Sequence, residues 1–142
     1  MASLNGEMTD IDVRANRDVI ASLLARHGLS SEIMVYVDNI QTWCREHGID
    51  EPNPWRSAKT LYHDGPHGVT VLLPNVITGD MVQSVTGGML SRGFPHWREL
   101  ELDGSLFLKH LVLHEVRHVL ERHHDENLCD AWAYEQLRAT SS

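Results

Sequence analysis

Apolar residues alternate with charged ones at helical spacing near the start of the chain. Ile11, Val13, Val19, Ile20, Leu23 and Leu24 predict a helix from Thr9-Asp10 to Arg26, with Gly28 closing it. A second segment opens at Ser30-Ser31-Glu32, where Ile33, Val37, Ile40 and Cys44 keep the helical period as far as His47-Gly48. Its β-branched run Ile33-Met-Val-Tyr-Val37 also fits a strand start. Pro52 and Pro54 then break the pattern. Lys59–His63 and Val69–Leu73 read as two strands joined by an Asp-Gly-Pro-His-Gly turn. Glycines and weak periodicity predict a loop over 76–96, with one helical turn near Met81–Val85. Trp97–Leu102 alternates charged and apolar residues, as a third strand would.

Asp103-Gly104-Ser105 supplies N-cap chemistry for a buried helix that runs to about His123. Asp125 can cap a last helix, Glu126 to about Leu137, packing Leu128, Ala131, Trp132, Leu137 and Tyr134 inward. The expectation is one α+β domain over residues 1–142, with 1–8 and 139–142 disordered. Two helices come first, then a small sheet, then two more helices.

Bulk properties exclude several classes of partner. Twelve Lys and Arg against twenty Asp and Glu give a formal charge of −8. No basic cluster is present to hold a nucleic-acid backbone. No apolar run reaches membrane-spanning length, and the N-terminus lacks a signal peptide's basic and apolar regions. Cys44 and Cys129 form no disulfide framework and read as buried thiols. These features point to a cytoplasmic protein.

Inside the buried helix lies His114-Glu115-Val116-Arg117-His118. Residues four apart share a helix face, so the two imidazoles can meet at one metal ion, while Glu115 can take a proton from an activated water. Two histidines and a glutamate amid Leu111-Val-Leu113 and Val119-Leu120 are costly to bury without partners, and a metal is such a partner. A catalytic zinc takes three protein ligands and keeps a fourth position open. Three residues compete for third ligand: His124, Glu126 and Asp130. His124 has the spacing of a pattern that needs glycine where this chain has Glu121. Glu126 and Asp130 share a face of the last helix. If the first helix overshoots His118 by five residues, about 7.5 Å, Glu126 sits near the turn and Asp130 lies level with His118. His110, one turn before His114, supports the site or faces solvent. Tyr62, His63, His96 and Tyr134 are candidate oxyanion donors.

The two strings His114-Glu-Val-Arg-His118 and Glu126-Asn-Leu-Cys-Asp130-Ala-Trp-Ala133 resemble the gluzincin arrangement, H-E-x-x-H followed by E-x-x-x-D. They look most like the compact zincin metallopeptidases of the ImmA/IrrE and minigluzincin kind. The likeness covers roughly the last 40 residues, and the seven-residue linker between the strings departs from it in being short. The resemblance implies one Zn2+ per chain held by His114, His118 and Glu126, with Asp130 holding the ring of His114. It further implies Glu115 as general base, a peptide or protein substrate, and an edge strand at Val69–Leu73 to receive it. So short a chain leaves little wall for a cleft, which suggests a homo-oligomer or a partner protein. The competing expectations are a metal-stabilised binding module without catalysis, and a zinc hydrolase of a non-peptide amide.

Overall fold

A computed structural model describes residues 10–122 and 125–141. The elements are β1 (Ile11–Asp12), α1 (Arg17–Arg26), β2 (Met34–Val37), α2 (Ile40–Glu46), β3 (Lys59–Tyr62), β4 (Val69–Pro74), β5 (Val76–Ile77), α3 (Gly79–Ser91), α4 (Trp97–Leu102), α5 (Gly104–Glu121) and α6 (Glu126–Ser141). The mixed α+β class is as expected; several elements are not.

The first helix starts later than its periodicity predicts. Ile11 pairs with Ile77 and Asp12 with Val76 in a short antiparallel ladder, and the Val13 N–H donates to the Asn75 carbonyl. Asp12 Oδ1 accepts from the Ala15 N–H, turning the chain toward α1. The second segment splits in two. Its β-branched half becomes β2, and Asn39, whose Oδ1 accepts from the Thr42 N–H at 2.9 Å, starts α2.

Residues 79–91, expected as loop, form the 13-residue α3. Thr78 caps it by accepting from the Met81 N–H, and burial of Met81, Val82 and Met89 offsets the weak helix propensity of Gly87 and Gly88. Trp97–Leu102 is also a helix, not a strand. Only Leu100 of its six residues is buried, so its alternation did not mark a sheet face. Leu128, expected to pack inward, is 56% exposed. The expected disordered tail is helical through Ser141, whereas the N-terminal lead lies outside the described residues.

The three-stranded sheet has the order β2-β4-β3, with β2 parallel and β3 antiparallel to β4. Val69–Leu73 is thus the central strand, not an edge. Alternation along the strands divides the core. Val69, Val71 and Leu73 join the main cluster with residues of α1, α5 and α6, while Leu72 packs with Ile40 and Cys44 under α2. Helix α5 is buried on nearly every side. It begins at Asp103, whose Oδ1 accepts from the Leu106 N–H. It ends at Arg122, the one non-glycine residue with positive φ (54°) among the described residues, whose N–H donates to the His118 carbonyl.

Candidate metal centre

The site is built where α6 folds back on α5. His114 Nε2 and His118 Nε2 lie 3.3 Å apart. Glu126 Oε1 is 2.8 Å from the first and Oε2 is 3.4 Å from the second. The spacing conflict raised by the short linker has a simple resolution. α5 stops at Glu121, three residues past His118 rather than five, because Arg122 turns the chain in a left-handed conformation. Glu126, the first residue of α6, then reaches both imidazoles, and Asp130, one turn on, lies level with His110 and His114 rather than with His118.

Asp130 is 1% exposed and gathers three donors. His114 Nδ1 donates to its Oδ1 at 2.8 Å and His110 Nε2 to the same oxygen at 3.0 Å. Arg92 Nη2 donates to Oδ2 at 2.6 Å. Gly88 makes room for that arginine, since a Cβ there would stand 3.3 Å from Arg92 Nη1. Burial works against the Asp130 carboxylate, but hydrogen bonds from His110 and His114 outweigh it and hold its pKa well below the usual range. His110 is therefore buried in support of Asp130, its pKa lowered chiefly by burial, and its Nδ1 has no hydrogen-bond partner among the described residues.

His114 shows what the arrangement demands. Burial lowers its pKa, yet the hydrogen bonds of Asp130 and Glu126 raise it to about 10. A neutral His114 that donates from Nδ1 to Asp130 would turn an Nε2 lone pair toward the Glu126 carboxylate and the lone pair of His118. Several electron pairs converging on one point need a cation there, either a proton or a metal. Two donors bound to one tetrahedral zinc at about 2.0–2.1 Å sit roughly 3.3 Å apart, which is the separation of the two Nε2 atoms. The donor set, two imidazoles and a carboxylate, fits zinc.

Cys129 is the other metal-binding type nearby, its Sγ 4.0 Å from His118 Nδ1. Burial, then the charges of Glu126, Glu115 and Asp130, push its thiol up to about 12. It lies by Nδ1 of His118, the ring nitrogen opposite the one that meets His114 and Glu126, so Glu126 is the better third donor.

Glu115 is buried beside the histidines, and Thr60 Oγ1 donates to its Oε1 at 2.7 Å. Two residues along β3, the Tyr62 hydroxyl donates to the His118 carbonyl at 2.8 Å. Both side chains point from one face of β3 onto α5, pinning the motif helix to the sheet.

Not every candidate arrives. His124 lies outside the described residues. Tyr62 spends its hydroxyl on the backbone, and His63 bonds Thr70 and Gly65 in the β3–β4 turn. His96 stacks on Tyr134, whose hydroxyl donates to Glu99. Thr60 and Arg92 went unread in the sequence. They stand 55 and 38 residues from their partners, and neither residue type has a motif to mark it. The chain matches no known family profile, no curated protein and no solved structure.

Proposed function

We propose that the chain is a zinc-dependent peptidase of compact zincin type, holding one zinc through His114, His118 and Glu126. The observation that carries this reading is the meeting of His114 Nε2, His118 Nε2 and the Glu126 carboxylate at 2.8–3.4 Å, next to a glutamate in the general-base position of the motif. Bound there, zinc polarises the scissile carbonyl and lowers the pKa of the attacking water toward about 7.

The chain's own groups do the rest. Asp130 fixes His114 as the Nδ1–H tautomer, which leaves Nε2 free to donate its lone pair. His110 and Arg92 hold Asp130 in turn. Thr60 fixes Oε1 of Glu115 and leaves the other oxygen to take a proton from the water and pass it to the leaving amine. Strand β3 lies at the sheet edge beside α5, and an extended substrate would pair with its outer side. That role falls to β3 and not to Val69–Leu73. No helix of the described residues is long and apolar enough to cross a membrane. The cytoplasm, a peptide or protein substrate, and a second subunit or partner to wall the site belong to the same proposal.

The test is zinc content together with hydrolysis of unstructured peptides by the chain and by Glu115→Gln. One zinc per chain is expected in both, with cleavage about 10²- to 10⁴-fold slower in the variant. Wild-type cleavage by Glu115→Gln overturns the assignment of the base. Zinc-loaded protein that cleaves neither peptides nor other amides points to the metal-stabilised binding module instead.

A further inference from the structure

A cavity of about 220 Å³ adjoins His114 and Glu115, walled by the loop 53–58 and by α3. It is smaller than the roughly 300–1,000 Å³ typical of drug-sized ligands, a size suited to one residue of a longer chain. It carries both signs of charge, being lined by Glu115, Glu126 and Asp130 as well as by Arg56 and Arg92. Glu51, whose side chain is fully buried, accepts from Lys59 Nζ at 2.7 Å, from Arg56 Nε at 3.2 Å and from the Asn53 N–H at 3.1 Å. Burial raises the Glu51 pKa, but the Lys59 and Asn53 hydrogen bonds overcome it and keep the carboxylate charged. One carboxylate thus faces two cations.

One of these two cations reaches the cavity. Arg56 lines it, its side chain is 43% exposed, and only Nε is engaged with Glu51. Nη1 and Nη2 have no hydrogen-bond partner among the described residues. Arg92, the other guanidinium lining the cavity, is committed to Asp130 and Asn127. A guanidinium with open terminal nitrogens is a planar fork for a carboxylate, and half-exposed Trp55 supplies an apolar wall beside it.

We infer that this cavity is a specificity pocket in which Arg56 binds a carboxylate of the substrate residue next to the scissile bond, an acidic side chain or a free C-terminus. The inference rests on the peptidase reading for the position of the scissile bond, at Glu115 and His114. The bidentate geometry of the open guanidinium fork favours a carboxylate over an amide of equal size.

The experiment compares peptide pairs that differ only as Glu against Gln at successive positions, and as free acid against C-terminal amide. Each pair is measured on the zinc-loaded chain, on Arg56→Gln and on Arg56→Lys. One acidic position, or the free C-terminus, is expected to raise kcat/KM about tenfold or more. The ratio should fall to near one in Arg56→Gln and to an intermediate value in Arg56→Lys, which keeps the charge and loses the fork. Which pair responds identifies the source of the carboxylate. Equal cleavage of both members of every pair overturns the inference and leaves the peptidase reading standing. Should the chain cleave no peptide, that reading fails, and calorimetric binding of the same pairs to Glu115→Gln with and without Arg56→Gln decides the pocket. Tighter binding of the acid that depends on Arg56 supports it, and equal binding overturns it.

Discussion

Asp130→Asn removes a charge without removing volume, so it isolates what the buried carboxylate does. In the native site Oδ1 accepts from two imidazoles and Oδ2 from Arg92. An amide can keep its oxygen toward the imidazoles, but its NH2 then meets the Arg92 N–H groups, donor against donor. Removing one partner of a buried pair costs about 3–5 kcal/mol. The Arg92 side chain is 35% exposed and can turn to water, which favours the lower end, about 3 kcal/mol. At a urea m-value of roughly 1–3 kcal/mol/M, the unfolding midpoint of the metal-free chain should fall by about 1–3 M. His114 also loses the charged acceptor that sets its tautomer, so zinc affinity, measured by chelator competition, should drop about 10- to 100-fold. A variant that unfolds within about 0.5 kcal/mol of the wild type and binds zinc equally well would refute the claim that Asp130 organises the site.

Three further outcomes follow from the same contacts. The His114 pKa is raised from 6.5 to about 10, so its contribution to metal-free stability is complete below pH 6.5 and is lost as pH rises through 10. Asp130 and Glu126 are shifted the other way, and their contribution is lost as pH falls below the ordinary carboxylate range. Urea midpoints should therefore plateau near pH 5–6 and decline toward 10, a decline that saturating zinc abolishes; midpoints that rise steadily to pH 10 would contradict the site. Thr60→Val should lower kcat/KM about tenfold through the lost charge-assisted hydrogen bond while zinc content, read by atomic spectroscopy, stays at one per chain. Phe107→Ala, at a side chain 1% exposed in α5, should cost about 3–5 kcal/mol in urea unfolding, and a cost under 1 kcal/mol would show that α5 is not the core it forms here.

What the sequence made legible was mostly local. His114, Glu115 and His118 are placed by a helix period alone, and capping marked where α5 begins. The errors share a cause in that tertiary pairing overrode local pattern. Ile11 and Val13 keep helical spacing with α1, yet β5 captures the chain before the helix starts. α3 carries a Gly-Gly pair that lowers its propensity, and it forms because its apolar face is buried. α4 alternates like a strand for only six residues, too few for the two periods to separate. The contacts that finish the site, Thr60 to Glu115 and Arg92 to Asp130, join segments remote in sequence. No spacing rule reaches them.

The same remoteness explains how so short a segment can hold a demanding site. The two motif strings supply every proposed metal donor and also Asp130, which holds His114, but the base, the His118 carbonyl and Asp130 itself are held from outside them. β3 holds the base and the His118 carbonyl, α3 holds Asp130 through Arg92, and the loop before β3 adds the cation at Arg56. A hairpin of α5 and α6 on its own would keep the spacing of His114, His118 and Glu126 while losing Thr60, Tyr62 and Arg92. Arg122 ends α5 three residues past His118, and Glu126 is the first residue of α6. A residue inserted within α6 between Glu126 and Asp130 would turn these two side chains about 100° further apart round the helix and keep them from reaching the same imidazole. Glu126 and Asp130, one turn apart on α6, thus reach opposite nitrogens of the His114 ring.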